Sequence, residues 1–122
     1  MSTANTTIPN TTTGLIAQYA VIASGTSLSE LVTLKSHALN AIIMPAVWTA
    51  ASITIQASID GTNFFNVYTA AGAEYTITTA ASRYITIPAS DLTSVKYLYF
   101  RSGTSGTPVS QAQDSKLTIL CK

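Results

Sequence analysis

Hydrophobic and polar positions alternate along much of this chain. Ile53, Ile55, Ala57 and Ile59 take every second place, with Thr54, Gln56 and Ser58 between them. Successive side chains of a strand point to opposite faces, so this two-residue period predicts a half-buried β-strand rather than a helix. Asp60-Gly61 follows directly. Gly tolerates positive φ and Asp bonds its own nearby backbone, so the pair predicts a hairpin turn. The aromatic stretch 64–68 then returns as a second strand. Residues 95–102 repeat the period, with Val95, Tyr97 and Tyr99 set against Lys96, Leu98 and Phe100.

The same reading predicts further strands at 15–23, 31–36, 38–44, 74–79, 83–87 and 116–121. Pro45 and Pro88 close two of them, because proline cannot donate into a ladder. Two short stretches compete for helix. Ser27-Leu28-Ser29-Glu30 has capping-box spacing, and Leu28, Leu31 and Val32 would make a stripe. Val32 and Leu34 alternate with Thr33 and Lys35, however, and a strand is preferred there. Residues 89–92 have room for one helical turn, and 103–113 reads as a loop rich in Gly, Ser, Thr, Pro and Gln. Short strands at even spacing predict an all-β fold, an antiparallel β-sandwich of jelly-roll type. A single domain over 15–122 suits the length. Residues 1–14 precede it as an extended N-terminal arm rich in Thr and Asn, whose apolar feature is Ile8-Pro9. Such a segment is either a disordered terminus or an arm lying on a neighbouring subunit, with Ile8 and Pro9 as anchors.

Composition sharpens the picture. Charged residues make up 9% of the chain, against about 25% in an average soluble domain. Ser, Thr and Ala fill their places, leaving a neutral, hydroxyl-rich surface with little self-repulsion. A homo-oligomer, trimer preferred, is the expected state. The net charge is +1, and the basic residues run from Lys35 to Lys122 without a cluster in the sequence. Phosphate-backbone binding needs several on one face, so nucleic acid is not an expected partner. Cys121 is the single cysteine. It allows no intrachain disulfide and fits synthesis in the cytosol. The opening residues are polar where a signal peptide would be apolar. Asn5-Thr6-Thr7 and Asn10-Thr11-Thr12 then match the glycosylation pattern only through a Thr-rich composition. No apolar run reaches the roughly 18–20 residues of a membrane helix, so no membrane partner is expected.

The search for chemistry returns little. His37 and Cys121 are too few for a structural zinc site. His37 reads as a strand-edge residue and Cys121 as a small inward-facing apolar group. No Gly-x-Ser-x-Gly elbow accompanies His37, and Gly103-Thr104-Ser105-Gly106-Thr107 lacks the Gly-Lys-Thr that holds a triphosphate. Asp60, Asp91 and Asp114 sit in separate loops; Asp60 is weighed as a calcium ligand, and a plain turn role is preferred. No catalytic residue, metal or cofactor is therefore expected. The aromatic residues Trp48, Tyr68, Tyr75, Tyr84, Tyr97 and Tyr99 suit core or subunit contacts, with sugar stacking as the alternative. Arg83 and Arg101 flank strand positions and have Glu74, Asp114 or a subunit contact as candidate partners.

A resemblance adds to this reading. Met44-Pro45-Ala46-Val47-Trp48-Thr49-Ala50-Ala51, the run from Ile55 to Gly61, Arg83-Tyr84-Ile85, the run from Leu98 to Thr104 and Pro108-Val109-Ser110-Gln111 resemble a family of small tailed-bacteriophage and prophage proteins over about residues 38–120. Ala57-Ser58-Ile59-Asp60-Gly61-Thr62-Asn63-Phe64 also resembles the strand-turn-strand of discoidin-like jelly-roll domains, which bind sugars, lipids or proteins through loops. The phage resemblance implies a virion location and a capsid decoration or cement role, often trimeric, with the major capsid protein of the head as partner. The alternative is a surface or tail adhesin whose β-sandwich binds glycans. Candidate partner-binding residues are Ile8, Pro9, Trp48, Tyr97, Tyr99 and Arg101.

Overall fold

The computed structural model describes residues 14–88 and 90–122. The expected arm, with Ile8 and Pro9, lies outside the described residues apart from Gly14. Among those described, nine strands and no helix are found. They are β1 (Ile16–Ile22), β2 (Val32–Thr33), β3 (Leu39–Ile43), β4 (Ile53–Ser58), β5 (Phe65–Asn66), β6 (Thr76–Ile77), β7 (Tyr84–Thr86), β8 (Tyr97–Ser102) and β9 (Ser115–Cys121). Two antiparallel sheets result. One runs β1-β9-β3-β7; the other runs β2-β8-β4-β5, with β6 pairing β4 beside β5. The pairings nest: β1 with β9, β2 with β8, β3 with β7, and β4 with β5 and β6. The protein is an all-β antiparallel sandwich, as the alternation predicts.

Register decides which residues face inward. Ile53 pairs Ser102, Ile55 pairs Phe100 and Ala57 pairs Leu98 on the inner face of the five-stranded sheet. They meet Ala20, Ile22, Leu39, Ile42, Leu117, Ile119 and Cys121 from the other sheet, all inside one core cluster. Each fully buried Leu, Ile or Phe contributes roughly 1.5–3 kcal/mol through the apolar surface it removes from water. A polar knot seals one end of the core. Gln111, 1% exposed, donates from Nε2 to Ser102 Oγ (2.7 Å) and Thr49 O (3.0 Å), while its Oε1 accepts from Thr49 N (2.8 Å) and Ser115 Oγ (3.1 Å).

Several local expectations are corrected. β4 is not half-buried: Thr54 and Ser58, on its outer face, are 0% and 4% exposed, while Ile59 is 75% exposed. Arg101 and Gly103 cover Thr54, and Ile59 has left the sheet for the Asp60 turn. β2 is shorter than expected because Lys35 takes a left-handed φ of 57° and His37 N bonds back to Leu34 O at 2.9 Å. His37 therefore sits in this turn, half-buried, rather than on a strand edge. The helix weighed as an alternative at 27–30 is not taken, in keeping with the preference for strand: the chain bridges to neighbouring strands at Ser29 and Leu28. Residues 90–94 form turns, with Val95 N donating to Leu92 O at 3.2 Å.

Candidate functional site

The alternation of β8 sends Leu98 and Phe100 inward and Tyr97, Tyr99 and Arg101 outward. Arg101 is 5% exposed. A guanidinium so enclosed must be paired, since leaving a charge bare away from water costs several kcal/mol. Its Nη1 donates to Glu74 Oε2 at 3.3 Å and to Thr54 Oγ1 at 3.2 Å, and its Nη2 donates to Asn66 Oδ1 at 2.6 Å. The 69–73 turn delivers Glu74, closed by Thr69 N to Ala73 O (2.8 Å) and by Gly72 at φ 90°. The Glu74 carboxylate also accepts from Ser105 N at 3.1 and 3.2 Å. Arg101 thus ties β4, β5, β8 and two loops together. Of the two acids considered for it, Glu74 is the partner, while Asp114 accepts from Ser24 N at 2.8 Å.

The two tyrosines on the same face stay half-buried. Tyr99 lies against Phe64, with ring centroids 4.8 Å apart at 49°. Gln56 pairs with Tyr99 across the sheet, and Ser58 with Tyr97. Gly61, at φ 78°, lies over the Tyr97 ring, where a Cβ would stand 3.5 Å from Cζ. The Asp60 carboxylate shapes this loop. It accepts from Asn63 N (2.9 Å), Thr62 N (2.8 Å), Asn63 Nδ2 (2.8 Å) and Ser58 Oγ (2.8 Å). These donors, the Asn63 amide foremost, hold its carboxyl well below the usual carboxylate range. Both carboxylate oxygens are engaged by loop donors, which gives Asp60 a bracing role.

On the other side of this loop lies a cleft of about 580 Å³. Leu92 and Val95 are buried in its lining, Ala57 and Val67 half-buried, while Ile59, Phe65 and Tyr68 stand out at 75%, 71% and 54% exposure. Ser58, Asp60, Asn63, Asp91 and Ser94 supply the polar lining. Asp91 accepts a 2.8 Å bond from the Tyr75 hydroxyl, whose pKa is pushed up to about 12 by burial first and by Asp91 second.

Comparison of the chain with protein-family models, curated proteins and solved structures finds no match. Function is therefore read from the surfaces themselves.

The structure brings Tyr97, Tyr99 and Arg101 to one face and leaves Trp48 apart. Trp48 is half-buried against the inner core, and its Nε1 donates to Ala51 O at 3.3 Å. Ile8 and Pro9 lie outside the described residues. Cys121 faces inward, with burial pushing its thiol pKa up, and Gln18 Nε2 lies 3.8 Å from Sγ. Among the described residues, no three His, Cys, Asp or Glu side chains gather as a metal site would require. Sequence reasoning missed Ile59, Phe65 and Tyr68 as a surface group. For Ile59 a signal existed: a residue just before Asp-Gly is already leaving its strand. For Gln111 no local signal distinguishes a buried glutamine from any other in a polar loop.

Proposed function

We propose that this chain is a non-enzymatic structural subunit of a tailed-phage virion. In this reading it is a decoration or cement protein that binds the major capsid protein of the head and acts as a homo-oligomer, trimer preferred. The observation that carries the reading is the group Ile59, Phe65 and Tyr68, held in solvent around the cleft. Large apolar side chains clustered beside a hollow with polar groups in its lining are a common mark of a protein contact surface. A contact with few charges also suits a chain with so few of its own. The resemblance over residues 38–120 selects a virion partner. The nested strand pairing supports the jelly-roll reading, since folding one long hairpin over itself pairs first with last, second with second-last, and so inward.

The test is co-sedimentation of the purified protein with phage heads lacking their decoration protein, beside light scattering for its mass. Phe65→Ser/Tyr68→Ser should keep its melting temperature, because both side chains are exposed, and should lose binding. Wild-type protein that stays in the supernatant would refute the lattice role, and a double variant that binds as wild type would remove the cleft from it.

A second reading is favoured by the outer face of the five-stranded sheet. Phe64, Tyr97 and Tyr99 present rings beside Gln56, an arrangement that can stack on the apolar face of a sugar while bonding its hydroxyls. That would make the chain a glycan-binding adhesin module. Tyr97→Ala and Tyr99→Ala should then abolish binding on a glycan array, whereas silence of the wild-type protein across the array would dismiss this reading.

A further inference from the structure

Three lysines distant in the chain meet at one place. Lys35, Lys96 and Lys122, with His37, line a hollow of about 430 Å³. Lys35 and His37 come from the turn after β2, Lys96 immediately precedes β8, and Lys122 immediately follows β9. Backbone bonds tie these segments together. Leu34 N donates to Lys96 O at 2.8 Å, His37 N donates to Leu34 O at 2.9 Å, and Ala38 and Lys122 exchange bonds of 3.1 and 3.0 Å. Lys35 holds φ 57°, a left-handed conformation that residues other than glycine seldom take. Strain of that kind persists where the surrounding structure enforces it, often at ligand clamps.

The charge balance of the hollow is one-sided. Ser36, Ala38, Thr93 and Val95 complete the lining, so no carboxylate side chain contributes. The chain has six Lys and Arg in all, and half of them are here. Of the others, Arg101 is occupied by Glu74 and Lys116 Nζ sits 4.0 Å from the centroid of the Tyr19 ring. Like charges gathered in a hollow repel one another until an anion enters. Ammonium groups serve as point-charge partners for phosphate oxygens, and the hydroxyls of Ser36 and Thr93 add neutral donors.

We propose that this hollow is a binding site for a phosphate-bearing small anion, either free polyphosphate or the phosphorylated end of a sugar. Its compact form favours such a ligand over a nucleic acid strand, which needs a basic groove that tracks many phosphates. The hollow shares Val95 alone with the lining of the Phe65–Tyr68 cleft, and the proposal does not rest on the virion reading.

The test titrates the full chain with pyrophosphate and, in a second arm, glucose 6-phosphate, at constant ionic strength against sodium chloride. Amide resonances in residues 34–38, 93–96 and 121–122 should shift saturably, and the melting temperature should rise with ligand but not with chloride. Lys35→Gln/Lys122→Gln should raise the dissociation constant by about tenfold or more, through loss of two charge-assisted contacts. Lys116→Gln should leave it unchanged. The stronger arm identifies free or sugar-borne phosphate. Shifts that match chloride and never saturate would overturn the site, as would equal weakening by Lys116→Gln. A single-stranded oligonucleotide that outcompeted both anions at the same salt would overturn the small-ligand assignment.

Discussion

Removing the carboxylate of Glu74 probes the one ion pair found among the described residues. The side chains of Arg101 and Glu74 are 6% and 13% exposed, so water cannot readily replace the lost partner. Breaking a buried pair by deleting one member costs about 3–5 kcal/mol, because the other charge stays behind. Here the guanidinium keeps Thr54 Oγ1 at 3.2 Å and Asn66 Oδ1 at 2.6 Å, and the site lies near the outer surface. Those acceptors recover part of the loss, so Glu74→Ala should cost about 2–3 kcal/mol. This is a large part of the roughly 5–15 kcal/mol that keeps a domain folded. The assay is urea unfolding followed by Trp48 fluorescence. With a slope of about 1–3 kcal/mol per molar urea, the midpoint should fall by roughly 0.7–3 M without a change in slope. Arg101→Met in the Glu74→Ala background should cost less than the two single changes summed, since no bare charge remains. A loss below about 1 kcal/mol for Glu74→Ala, with coupling below about 0.5 kcal/mol in the double-mutant cycle, would refute the reasoning and make the pair an ordinary surface contact.

Four further outcomes are expected. At Gly103, with φ +90°, a Cβ would stand 2.5 Å from Thr107 O and 2.7 Å from Val109 N, so Gly103→Ala should cost about 3 kcal/mol or more on thermal unfolding. Gly25→Ala, at φ +80° with open space around it, should cost only about 1 kcal/mol. The Tyr75 pKa is raised to about 12 from an ordinary 10, so its contribution to stability is complete below pH 10 and is lost as pH rises through 12. Denaturation midpoints between pH 9 and 12 should therefore fall more steeply for wild type than for Tyr75→Phe, and parallel curves would contradict this. Cys121 is 1% exposed with its thiol pKa raised by burial, so at pH 8 an aromatic disulfide reagent should label it slowly in the native protein and rapidly in urea.

The strands themselves were legible in the residues. Eight of the nine expected stretches contain an observed strand, and β9 begins one residue before its expected start. Alternation and turn chemistry act over two to four residues, and those ranges are written directly in the order of side chains. Strand length was less legible, because pairing ends where a neighbouring strand ends. Only Phe65 and Asn66 of the expected 64–68 stretch pair as a strand with β4, and β2 stops before the left-handed turn at Lys35. Burial of polar groups was not legible at all. Thr54 and Gln111 look like any hydroxyl or amide until Arg101, Gly103, Ser102 and Thr49 are brought against them. The basic residues make the same point most sharply: they are scattered along the chain, yet Lys35, Lys96 and Lys122 share one hollow. Local pattern tells each segment what it is, because it depends on bonds between near neighbours. Which segments meet depends on sheet order and register, and only the packed sandwich sets those.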